Sequence, residues 1–122
     1  MAIYESGEDY LETILVLHKR NDIVRSIDVA SELGFSKPSV SRAMSILKKD
    51  GYIYMDEKGH ITLSDAGQKA AEDIYARHNN ISRFLMEVLG VSQENALKDA
   101  CRIEHDLSNE TYGKICEALV NK

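Results

Sequence analysis

Cysteine, proline and positive charge are all scarce in these 122 residues. Two cysteines, Cys101 and Cys116, are too few for a disulfide scaffold. They are read as core residues or metal ligands. The single proline, Pro38, falls in the first turn of an expected helix, where its missing N–H costs nothing. No apolar run is long enough to span a bilayer, and no membrane partner is expected. The opening Met1-Ala2-Ile3-Tyr4-Glu5 lacks the basic start and apolar core of a signal peptide, so a cytoplasmic location is expected. Low-complexity segments and internal repeats are absent. Bases are outnumbered 15 to 20, giving a net charge of -5, which at first argues against nucleic acid.

The distribution of charge changes that argument. Residues 1–24 and 59–122 are each acidic by 3, whereas residues 25–58 carry 6 bases and 5 acids. Any DNA contact falls in that middle segment and should be sensitive to salt. The remaining composition, 43% hydrophobic and 29% charged, is that of a globular chain.

The periodicity predicts a mostly α fold with one short β excursion. A first helix is expected from Ser6, as its cap, to Arg20, with Tyr10, Leu11, Ile14, Leu15 and His18 on one face. A second spans about Ile27–Leu33 after Ser26, with Ile27, Ala30 and Leu33 inward and Gly34 as its left-handed cap. Ser36 caps a third, which turns Val40, Met44 and Leu47 inward and ends at Gly51. Tyr52-Ile53-Tyr54-Met55 and His60-Ile61-Thr62-Leu63 read as two strands around a glycine turn. Ser64 caps a long helix to about Leu89, with Ala70, Ile74, His78, Ile81, Leu85 and Val88 on one face. Ser92 and Ser108 cap two further helices, to about Asp106 and Val120.

Short helix, glycine turn, helix and strand pair make a winged helix-turn-helix over residues 1–64. An α-helical domain for dimerisation and metal binding is expected over residues 65–122. The inward stripe of the third helix frees Ser36, Lys37, Pro38, Ser39, Ser41, Arg42 and Lys48 to face DNA. Hydroxyls allow close approach to backbone and bases, while Lys and Arg attract phosphate. Lys58 and His60 fall at the wing tip, within reach of phosphate.

A second set of polar residues lies on faces that should be apolar. Leu97 and Ala100-Cys101 set an inward stripe that continues into Glu104 and His105. Cys101, Glu104 and His105 are spaced i, i+3, i+4 and so share one surface. Thiol, carboxylate and imidazole together form a ligand set for a first-row transition metal. His78 falls on an apolar stripe, and Asp9 and Glu12 are i, i+3 neighbours. Each has a plain alternative: a core histidine, a first-turn acid, a solvated glutamate, a small buried thiol. Jointly, burying several carboxylates calls for a cation, and roughly two divalent ions would balance them.

At these residues the chain resembles the diphtheria-toxin-repressor and manganese-transport-regulator family of metal-dependent repressors. The resemblance rests on Glu8-Asp9-Tyr10-Leu11-Glu12-Thr13-Ile14, Ser36-Lys37-Pro38-Ser39-Val40-Ser41 and Leu63-Ser64-Asp65-Ala66-Gly67. It continues through Arg77-His78 and Ala100-Cys101-Arg102-Ile103-Glu104-His105-Asp106-Leu107-Ser108. It implies a homodimer that binds a palindromic double-stranded DNA operator when loaded with Mn(II) or Fe(II). It further implies metal ligands at Asp9, Glu12, His78, Cys101, Glu104 and His105, with two ions per subunit. In the manganese branch a glutamate stands where this chain has Cys101. In the iron branch a methionine stands where it has Asp9. Mn(II) is favoured by the short manganese-type architecture, and Fe(II) is the second candidate. The iron branch's ancillary ligand positions correspond to Ser82 and Leu97, neither of which suits that site.

The expected mechanism is a metal clamp that narrows the spacing of two reading heads to the about 34–36 Å between successive major grooves. Two other classes compete. A metal-independent winged-helix regulator would hold His78 and Glu104 in ordinary hydrogen bonds. A metallohydrolase is disfavoured, because no His-Glu-x-x-His motif occurs and the ligands leave no open position.

Overall fold

The recognition segment shows how this sequence builds its elements. Ser36 accepts a hydrogen bond from Ser39 N at 3.3 Å, Pro38 occupies the first turn, and helix α3 then runs Lys37–Lys49. Val40, Met44 and Leu47 are buried on its inner side, as their spacing predicts. The protein is described here from a computed structural model covering residues 5–121, with side chains from residue 7. Helix α1 already runs at Glu5, so Ser6 lies inside the helix and is not its cap.

The remaining elements are α1 (Glu5–Arg20), α2 (Ser26–Leu33), β1 (Ile53–Met55), β2 (Ile61–Leu63), α4 (Asp65–Glu87), α5 (Gln93–Ile103) and α6 (Asn109–Val120). They form two compact units, Met1–Glu72 and Asp73–Lys122, with the division inside α4. No described helix is long and apolar enough to cross a membrane.

In the first unit, α1 packs on α2 and β2, α2 on α3, and α3 on β1. Leu11, Ile14, Val24, Val29, Val40, Met44, Ile53 and Ile61 fill its interior. Each such side chain contributes about 1.5–3 kcal/mol by leaving water. The strands pair antiparallel with Ile53 opposite Leu63 and Tyr54 opposite Thr62. Ile61 N also bonds Val24 O at 2.7 Å, and His18 Nε2 donates to Ile61 O at 2.8 Å, so the wing is tied to both sides of the α1–α2 connection. The wing's end is docked on α4: Ser64 N bonds Tyr52 O, Ser64 Oγ donates to Gly51 O at 2.6 Å, and Gly67 N donates to Ser64 Oγ at 3.1 Å. A side chain at Gly67 would put its Cβ 1.9 Å from Tyr52 O, so only glycine permits this approach.

In the second unit, Ile81, Leu85, Ala96 and Ala100 form the core, and Phe84, Val91, Ile103, Leu107, Tyr112 and Ile115 pack around it. Ser92 and Ser108 cap α5 and α6 as predicted.

Several sequence expectations need correction. In α2 the cap is Arg25, whose N–H bonds Asp28 Oδ2 at 2.9 Å, so Ser26 is already helical. The inward side of that helix is Val29–Ala30, and Ile27 is 49% exposed. In α4 the inner stripe holds Ala71 where Ala70 was expected. That helix also ends at Glu87, which leaves Val88 exposed beside the left-handed Gly90. In α5 the buried positions are Ala96, Ala100 and Glu104, spaced four apart, while Leu97 and Cys101 are exposed. The α5 helix stops at Ile103, three residues early, with Glu104 as its cap.

Candidate metal centre and nucleic-acid interface

Within the second unit, α4 and the end of α5 bring four of the six expected ligands together. His78 Nδ1 lies 3.0 Å from Glu104 Oε2 and 3.7 Å from Cys101 Sγ. On the other carboxylate oxygen, Oε1, His105 Nε2 stands at 3.5 Å. Glu104 thus presents one oxygen to each histidine. Its side chain is 1% exposed, and among the described residues Oε1 has no hydrogen-bond partner. A buried carboxylate with an unsatisfied oxygen is costly, by several kcal/mol, unless a cation offsets it.

This donor set fits a divalent ion. Donors held at about 2.0–2.3 Å from one first-row ion lie roughly 3–3.6 Å from each other. The three distances above fall in or close to that range. Imidazole, carboxylate and thiolate are ligand types for Mn, Fe and Zn. Asp9 and Glu12 lie half-buried on α1, in the first unit. Ser82, on α4, is buried and donates its hydroxyl to His78 O at 2.8 Å, so that hydroxyl is committed to the helix backbone. Cys116 is half-buried on α6, and neither cysteine is in a disulfide.

One participant was missed from sequence. Arg77, beside His78 on α4, donates to Glu104 O at 3.0 Å, Leu107 O at 3.1 Å and Asn109 Oδ1 at 2.7 Å. Its guanidinium also stacks 4.8 Å from the Tyr112 ring centre. Desolvation holds the Tyr112 hydroxyl above its ordinary 10.0, so the ring beneath the cation is neutral near pH 7. The signal available in sequence was only an arginine next to a candidate ligand.

In the first unit the outer side of α3 presents Lys37, Pro38, Ser39, Ser41, Arg42, Ser45 and Lys48, all exposed. Ser36 is partly committed: its hydroxyl donates to Ser39 Oγ at 2.8 Å as well as capping the helix. Lys58 is exposed on a three-residue wing turn closed by Gly59 in the left-handed region, φ 78. Asp56 Oδ1 accepts from Lys58 N and His60 N, both at 2.8 Å. The His60 amide, opposed by some desolvation and helped by the Lys58 amide, holds the Asp56 carboxyl below its ordinary 3.8. His60, read as within reach of phosphate, is paired within the protein. Arg25 donates to its Nε2 at 3.0 Å and its Nδ1 faces Asp56 Oδ2 at 3.2 Å.

Residues 2–61 match the N-terminal DNA-binding domain of the iron-dependent repressors, and residues 64–121 match their metal-binding and dimerisation domain. The chain belongs to the iron-dependent repressor family. Among its relatives, an uncharacterized HTH-type transcriptional regulator of Methanocaldococcus jannaschii is 34% identical over 91% of this chain and 90% of that protein. The transcriptional regulator MntR of Salmonella typhimurium is 38% identical over 85% of this chain and 66% of its own length. A manganese-dependent transcriptional repressor solved in complex with manganese superposes with a TM-score of 0.86 at 27% identity, over 93% of this chain. This repressor-family chain spans about half, 52%, of that solved protein.

Proposed function

We propose that this family member is a metal-responsive transcriptional repressor acting as a homodimer in the cytoplasm. Residues 1–64 read a palindromic operator, and residues 65–122 bind metal and dimerise. Asp9, Glu12, His78, Cys101, Glu104 and His105 hold two divalent ions per subunit, Mn(II) by preference and Fe(II) as the alternative. The observation that carries this reading is Glu104, buried with one oxygen towards His78, 3.0 Å away, and the other, unbonded, towards His105, 3.5 Å away.

When bound, the ions supply positive charge that offsets buried carboxylates and joins donors from separate helices. His78 and His105 would hold the ions as neutral donors, Glu104 through its carboxylate and Cys101 through its thiolate. Asp9 and Glu12 are assigned to the same ions by family resemblance. Ser39, Ser41 and Arg42 contact bases and phosphates, while Lys37, Lys48 and Lys58 hold phosphate. Ser36 and Pro38 shape the helix start.

Mn(II) binding to the purified chain, followed by electron paramagnetic resonance, tests the assignment. Wild type should titrate to two ions per subunit. Glu104→Gln should lose at least tenfold in affinity at both positions while the metal-free protein keeps its thermal stability. Unaltered Mn(II) binding by that variant would refute the role of Glu104 as a ligand.

A further inference from the structure

Adjacent residues of α4 hold the same turn by different means. His78 reaches it through the Glu104 side chain, a contact that a shared metal would replace. Arg77 reaches it through backbone carbonyls, Glu104 O at 3.0 Å and Leu107 O at 3.1 Å, and through Asn109 Oδ1 at 2.7 Å. None of those three acceptors is a side-chain donor of the proposed ligand set, so these bonds are compatible with metal loading. They also lie where they are needed. The last carbonyls of α5 have no partner inside the helix, and a cation suits that negative end. The Glu104 carbonyl and carboxylate belong to one residue, so fixing the carbonyl restricts where the carboxylate points. His105 follows directly in the chain. The stack on Tyr112, itself held by Asn80 Nδ2 at 2.8 Å from its hydroxyl, fixes the guanidinium plane.

We infer that Arg77 is a positioning residue for the metal centre: it pre-forms the Glu104–Asn109 turn in the metal-free protein and thereby sets metal affinity. The inference rests on the metal-binding reading above. Partners that orient ligands in this way are worth about 10–100-fold in metal affinity. Lysine cannot replace arginine here, because a point charge cannot serve three acceptors in one plane and stack on a ring.

Two readouts test it on the full chain: Mn(II) affinity by electron paramagnetic resonance, and backbone amide exchange of the metal-free protein across residues 104–109. Arg77→Gln should weaken Mn(II) binding about 10–100-fold and speed exchange in that turn. Arg77→Lys should do both to a smaller extent, and it serves if the glutamine variant fails to fold. Arg83→Gln, which removes an exposed α4 ion pair to Glu87 away from the turn, should leave Mn(II) affinity unchanged. Wild-type affinity in both Arg77 variants would overturn the inference. So would unchanged exchange at 104–109, or an equal loss in Arg83→Gln, which would reduce Arg77 to a general support of α4. Wild type failing to bind Mn(II) at all would instead strike down the metal reading, and this inference with it.

Discussion

Under the proposed ligand set, metal preference turns on Cys101. It is exposed, 3.7 Å from His78 Nδ1, and lies beside a carboxylate that is fully buried. Thiolate is a softer donor than carboxylate and shifts a mixed site away from Mn(II) towards Fe(II), Co(II) and Zn(II). Cys101→Glu should therefore strengthen Mn(II) binding relative to Co(II), by about tenfold in the ratio of dissociation constants from competition titrations. A ratio that does not move would mean the thiol is outside the ligand set. Because Cys101 is already exposed, the change should cost little stability. The site was partly legible at this scale. Cys101, Glu104 and His105 share a surface by spacing alone, and His78 stood out as a polar residue on an apolar stripe. Arg77 was not legible, because its partners are mostly carbonyls, and backbone acceptors leave no trace in residue type.

The elements show where periodicity suffices and where it fails. Val40, Met44 and Leu47 on α3 are buried as read, since a 13-residue helix gives the apolar stripe several turns to declare itself. The eight-residue α2 does not: an Ile27, Ala30, Leu33 stripe and a Val29, Ala30, Leu33 stripe fit the same letters. The packing of α1 and α3 selects the second, and Ile27 is left outside. In α5 Ala100 and Glu104 were read as inward and are buried, but Ala96 was passed over for Leu97, the more obvious apolar choice. The wing was read correctly as strand, turn, strand, but its turn chemistry comes from Asp56. That carboxylate accepts two backbone N–H groups, both at 2.8 Å. Its acidity is raised in the folded state, so its contribution to wing order is fully present above pH 3.8. It is lost as pH falls through the lower folded value. The Lys58 and His60 amide resonances should accordingly titrate together with a midpoint below 3.8. A midpoint at or above 3.8 would show that the turn does not depend on these bonds.

For the whole molecule, an acidic chain that binds DNA is reconciled by placement. The net charge is -5, yet Lys37, Arg42, Lys48 and Lys58 are gathered on α3 and the wing turn, and all are exposed. Helix α3 carries no acid, although Asp56 and Glu57 share the wing turn with Lys58, and the most costly acid, Glu104, is buried where a cation is proposed. Metal and DNA should then be linked: each favours the state the other binds. The direct measurement is the affinity of the chain for a palindromic duplex enriched from a random-sequence pool, at fixed salt, with saturating Mn(II) and again with a chelator. The account predicts tighter binding with Mn(II), by about 5–150-fold, and loss of that difference in Glu104→Gln. Equal affinity with and without metal would contradict it, and would leave a winged-helix DNA-binding protein that does not respond to metal.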